Sequence, residues 1–153
     1  MTSTRQHHAV LIMGLLGIPN TLTHVGARRA LTAWMHAESG EHPGLCNGLP
    51  GQGARWNPLN TTLALPGCTS YNSVPVRNYA TQADGALAVV RTLEEDTRYA
   101  PVIAALRKPF VNVKTVNKAI AASPWGTPGW LLEDARTAYQ RNRAFYNTYP
   151  IGA

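Results

Sequence analysis

Eight carboxylates are the only acidic side chains in this chain of 153 residues, and seven of them have an ordinary structural use. Asp84 falls in the first turn of a predicted helix, where the helix dipole favours negative charge, and Glu133 and Asp134 open another in the same way. Glu94 stands one helical turn before Arg98, and Glu95 one turn after Arg91, the spacing of surface ion pairs. Asp96 closes the same polar helix end, and Glu41 lies in a loop flanked by Gly and Pro. Glu38 remains. Ala27, Leu31, Trp34 and Glu38 fall at i, i+4, i+7 and i+11, so they share one face of a helix that is otherwise apolar. That face turns Glu38 toward the interior or its edge, at the C-terminal end of the helix, where the dipole opposes negative charge. Both circumstances favour the neutral acid. A carboxyl of this kind is the proton donor that glycoside cleavage requires, and Trp34, one turn earlier, supplies an apolar wall beside it.

A second group of residues has the chemistry of a sugar-binding surface. Trp56-Asn57-Pro58-Leu59-Asn60-Thr61-Thr62 and Tyr71-Asn72-Ser73 carry no charge and mix aromatic rings with amides and hydroxyls. Rings can cover the apolar faces of a sugar while fixed donors and acceptors meet its hydroxyls. The same residue types are also ordinary turn formers, so composition alone leaves both readings open.

These residues need elements to position them. The length is that of one domain, and 44% apolar residues are enough for a packed core. The spacing predicts helices over Gln6–Leu16, from Thr21 or Thr23 to Ser39 with Gly40 as its stop, from a Thr81–Asp84 capping box through Leu93, and over Tyr99–Arg107, Thr115–Ala122 and Leu131 to about Tyr146. Residues 41–80 lack helical period and form a polar lobe, with Asn60–Leu65 and Ser73–Val76 as candidate strands of a small hairpin. The fold class is therefore α+β, mainly α: one domain, a helical body carrying a small irregular lobe, with a cleft expected between them. The apolar run Ala9–Ile18, preceded by Arg5, His7 and His8, imitates a signal peptide but lacks a small-residue cleavage site and is too short to span a bilayer, so it reads as a buried helix. Cys46 and Cys68 are too few for a metal site or a disulfide framework, and no metal or cofactor is called for. Fourteen Lys and Arg against eight acids give a net charge of +6, which suits polyanionic surroundings. The basic residues are scattered, and no helix has a base-reading face, so nucleic acid is not an expected partner.

Taken in order, Trp34-Met35-His36-Ala37-Glu38-Ser39-Gly40, Trp56-Asn57-Pro58-Leu59-Asn60-Thr61-Thr62, Tyr71-Asn72-Ser73-Val74, Val76-Arg77-Asn78-Tyr79, Gly85, Ala88, Thr92-Leu93 and Ser123-Pro124-Trp125-Gly126-Thr127 resemble the lysozyme-like, lytic-transglycosylase-like domain of phage endolysins and tail proteins, above all those of actinobacterial phages. The likeness runs from about residue 10 to residue 127. It implies a lysozyme-superfamily fold, cleavage of the β-1,4 bond between N-acetylmuramic acid and N-acetylglucosamine, and Glu38 as the single essential acid. It also implies a phage-encoded protein acting at the bacterial wall, either as a released lysin or within a virion, with peptidoglycan and other tail or virion proteins as partners. Asn57, Asn60, Thr61, Thr62, Tyr71 and Asn72 are the residues expected to orient sugar or water, Trp56 and Tyr79 are further expected substrate-binding residues, and Trp125 is expected either to line the cleft or, at least as readily, to hold a structural place. A non-catalytic virion component that keeps the fold to bind wall is the rival reading. The family often has Gly-Gly after the Glu, where this chain has Ser39-Gly40, and Gly between the two valines, where it has Pro75; proline fixes φ and removes a donor, so the lobe backbone there is shaped differently.

Overall fold

The structure, a computed structural model, describes residues 4–39 and 53–141. It is mainly helical with one small sheet. The helices are α1 (Thr4–Leu15), α2 (Val25–Ser39), α3 (Gln82–Glu95), α4 (Ala100–Arg107), α5 (Val113–Ala121) and α6 (Gly129–Arg141). A single 3-10 turn, Leu22–His24, leads into α2, so the start expected at Thr21 or Thr23 belongs to that turn. Gly40, Glu41 and Cys46 lie outside the described residues, as does the end of the last helix expected near Tyr146.

Helix α2 is central because its apolar positions run almost all the way round it. Ala27, Ala30, Leu31, Ala33, Trp34 and Met35 are fully buried, and α1, α5 and α6 pack on it. Such an all-round apolar helix is stable only inside a shell of others. Helix α1 lies between α2 and α3, burying Ala9, Ile12 and Met13 in the same core. Buried Arg5 reaches from α1 to the last turn of α2, its Nη2 donating to Ser39 Oγ at 3.3 Å and its Nη1 lying 3.3 Å from His36 Nδ1. A cation there complements the carbonyl end of the helix. No described helix is long and apolar enough to cross a membrane.

The lobe departs from expectation in its pairing. Strands β1 (Thr69–Ser70) and β2 (Arg77–Asn78) pair antiparallel, Thr69 opposite Asn78 and Ser70 opposite Arg77. The expected strands Asn60–Leu65 and Ser73–Val76 do not form. The first is held by side chains instead, and in the second the turn is closed by Asn72, whose Oδ1 accepts from the backbone N–H of Val74 and Val76 at 3.2 Å each. The surface ion pairs differ as well. Arg98 forks onto Asp96 rather than Glu94, because Asp96 caps the next turn by accepting from Arg98 N at 3.0 Å and so already holds that residue. Neither of the two ion pairs among the described residues joins Glu95 to Arg91; the second pairs Glu133 with Arg136. The Thr81 cap forms as expected, with Asp84 N donating to Thr81 Oγ1 at 3.1 Å.

Lobe and body meet at Gly85. A Cβ on this residue would stand 1.9 Å from the carbonyl oxygen of Trp56 and 3.2 Å from Cε1 of His8, so only glycine lets the lobe backbone settle on α3. His8 itself is wholly buried and neither ring nitrogen has a hydrogen-bond partner among the described residues; burial, reinforced by His7, pushes its imidazole down to about 3, so it is held neutral.

Candidate active site

The last turn of α2 carries Glu38 half-buried, one turn beyond fully buried Trp34. Both carboxyl oxygens meet neutral donors. Thr127 Oγ1 donates to Oε1 at 2.5 Å, and Asn60 Nδ2 lies 3.3 Å from Oε2 and 3.2 Å from the main-chain oxygen of the same residue. Thr127 has one hydroxyl hydrogen, and its oxygen also accepts from Trp34 Nε1 at 3.0 Å. Because the indole can only donate, the hydroxyl hydrogen is left for the carboxyl. Trp34, Thr127 and Glu38 thus form a directed chain ending on Oε1.

Asn60 reaches Glu38 from an unusual backbone. Its φ is +56°, the left-handed region that non-glycine residues avoid and that Asn tolerates best. Trp125 holds this segment in place. Its ring packs edge-on against Trp34 at 4.8 Å between centroids, and its Nε1 donates to the carbonyl of Leu59 at 3.2 Å, immediately before Asn60. One half-buried indole therefore ties the helix that carries the acid to the loop that carries its amide partner.

Of the other candidates, Asn57, Thr61 and Tyr79 are brought together and buried, at 1%, 3% and 1% exposure. Asn57 Nδ2 donates to the carbonyls of Thr61 and Arg77 at 2.8 Å each, and its Oδ1 accepts from Thr61 N and Thr61 Oγ1 at 2.8 and 2.9 Å. Tyr79 Oη donates to the carbonyl of Leu63 at 2.7 Å and lies 2.8 Å from Thr61 Oγ1. Burial raises the phenol above its usual range, so it stays a neutral donor. The three are the frame of the lobe. Trp56 is half-buried against its small core of Leu65, Tyr79 and Ala88. Thr62, Tyr71 and Asn72 are exposed on the lobe surface, and no hydrogen bond joins them to Glu38. The residue that reading from sequence overlooked is Thr127. It sits in the Ser123–Thr127 stretch, but nothing local distinguishes its hydroxyl, and the buried indole N–H of Trp34, which needs an acceptor, was the one available signal.

Among the described residues the arrangement is a single carboxyl at the junction of body and lobe, oriented through both oxygens by uncharged groups. No protein-family model matches the chain, and comparison with curated proteins and with solved structures finds no match.

Proposed function

We propose that the protein is a peptidoglycan glycosidase of lysozyme-like fold, in which Glu38 acts as the acid on the β-1,4 bond between N-acetylmuramic acid and N-acetylglucosamine. The observation that carries this reading is the carboxyl of Glu38, half-buried at the end of a buried helix and held at both oxygens by Thr127 and Asn60. A helical body with a small polar lobe over the acid, and the ordered motifs around Glu38, Asn60 and Trp125, support the same assignment.

Glu38 in its protonated form gives its proton to the glycosidic oxygen as the bond to the anomeric carbon breaks. Thr127 holds Oε1 by the shorter bond, 2.5 Å, and Asn60 donates to Oε2 at 3.3 Å, so Oε2 is the oxygen assigned the transferable proton. No second carboxylate accompanies Glu38 in the motifs that carry the resemblance, so a two-carboxylate scheme with a neighbouring Asp nucleophile is disfavoured. The cationic centre is then met by the substrate's own 2-acetamido group or 6-hydroxyl, and ionised Glu38 takes back a proton from the 6-hydroxyl or from water. Capture by the 6-hydroxyl gives a 1,6-anhydro sugar, as in lytic transglycosylases, and capture by water gives a reducing end, as in lysozymes.

The test is digestion of purified peptidoglycan by the wild type and by Glu38→Gln, with products read by mass spectrometry. Muropeptides released by the wild type and none by the variant are expected, and products lighter by one water identify the transglycosylase course. An inactive wild type that still sediments with wall would replace the enzyme with a wall-binding virion component.

A further inference from the structure

The end of the helical body remote from Glu38 carries a feature that neither folding nor the proposed chemistry uses. Lys108-Pro109-Phe110-Val111 is a tight turn closed by Val111 N donating to the carbonyl of Lys108 at 3.3 Å. Proline followed by a residue of positive φ is the signature of a type II turn, whose third position favours Gly or Asn. Here that position is Phe110, at φ +54° and 81% exposed. A bulky aromatic residue thus sits in a backbone conformation it resists, with its ring in water. Strain of this kind persists where a surrounding structure holds it, and it points to use rather than to packing.

The surrounding structure does hold it. Phe110 N donates to the carbonyl of Thr23 at 2.8 Å, and Val111 lies so close to α2 that a Cβ on Gly26 would stand 1.8 Å from its carbonyl oxygen. Leu22, next to Thr23, is 74% exposed. Arg107 donates through Nε and Nη2 to the carbonyl of Leu16 at 3.1 and 3.0 Å, which brings in exposed Leu15. Three large apolar side chains therefore project from segments bonded to one another. Exposed Arg107 and Lys108 accompany them, and the segments that carry the three, residues 15–23 and 107–111, contain no acidic side chain, whereas Lys114 on α5 already faces Glu133.

We infer that this end of the molecule seats on an anionic phospholipid surface, with Phe110 and Leu22 entering the boundary between headgroups and acyl chains and Lys108 and its basic neighbours facing lipid phosphates. Apolar tips on a turn held by backbone bonds suit insertion because little backbone freedom remains to be lost, and the basic side chains on these acid-free segments favour an anionic surface. A soluble polyanion would satisfy the lysines but would leave exposed Leu22 and Phe110 without a role. The surface is the far end of α2 from Glu38, about 22 Å away for a helix of 15 residues. The inference is independent of what Glu38 does.

Sedimentation of the full chain with vesicles tests it directly. The wild type is expected to bind vesicles of phosphatidylglycerol mixed with phosphatidylcholine, to release as salt is raised, and to ignore vesicles of phosphatidylcholine alone. Phe110→Gly removes the ring while giving the turn the residue it prefers, so its thermal midpoint should equal or exceed that of the wild type while binding weakens by about ten-fold or more. Leu22→Ser and Lys108→Glu should weaken binding in the same direction. Absence of wild-type binding, or equal binding by a folded Phe110→Gly, overturns the inference. So does a wild-type dimer in analytical ultracentrifugation that Phe110→Gly dissociates, since the face would then belong to a second copy.

Discussion

The hydroxyl of Thr127 is bonded to Oε1 of Glu38 across 89 positions of sequence, and the indole of Trp34 decides which way that bond points. Thr127→Val keeps the shape and removes the hydrogen, so cleavage of peptidoglycan should fall by about ten-fold or more, while Thr127→Ser should restore most of it. Trp34→Phe leaves the edge-on contact with Trp125 largely in place but frees the hydroxyl to rotate, and a smaller loss is expected. Equal rates for wild type and a folded Thr127→Val would show that the bond is not used.

Asn60 separates backbone from side chain. Asn60→Gly accepts the left-handed backbone and deletes the amide, whereas Asn60→Ala deletes the amide and adds strain of about 1 kcal/mol. Both should lose activity to a similar extent, and the alanine variant should melt earlier than the glycine variant. Calorimetry beside a turnover assay distinguishes the two effects.

His8 should make the fold sensitive to acid. Its folded value, about 3, lies below the ordinary 6.5, so the unfolded chain binds the extra proton. Its stability cost is absent above pH 6.5 and grows as pH falls from 6.5 toward 3, at up to about 1.4 kcal/mol per pH unit. Urea midpoints measured between pH 7 and pH 4 should decline in the wild type and decline much less in His8→Leu. Asp96 and Glu133, whose ion pairs hold them below the usual carboxylate range, add to the decline only where carboxylates titrate, at the acid end.

Tyr79 should prove structural. Tyr79→Phe removes the donor to the carbonyl of Leu63, and the thermal midpoint should fall by an amount worth about 1 kcal/mol. Binding of wall fragments should change only in step with that loss. A folded Tyr79→Phe with selectively weakened sugar binding would return the residue to the ligand surface.

The helical part of this architecture was legible because helices announce themselves locally. The 3.6-residue period that put Ala27, Leu31, Trp34 and Glu38 on one face survives intact, as does the Thr81 cap. The lobe was not. Its strands are two residues long and carry no alternation to read, and its order comes from buried Asn57, three of whose four hydrogen bonds close the turn onto Thr61 while the fourth reaches the distant carbonyl of Arg77. The same distance hid the site's partners. Glu38 could be singled out by what its helix does to it, whereas Asn60 was one polar loop residue among several and Thr127 became visible only once the chain had folded back. Arg5 and His8, read as the flank of an apolar run, are buried parts of the body.

Gly85 gives the junction its gauge. Lobe and helical body are spaced by the absence of one carbon, with the carbonyl of Trp56 resting where a side chain would begin. Any larger residue must lift that carbonyl by roughly an ångström, more than ordinary contact distances absorb. Asn60, four residues on, would be carried with it, and an amide already 3.3 Å from the carboxyl has no slack to give. The tolerance of the site is therefore set at a point that contributes no functional group at all.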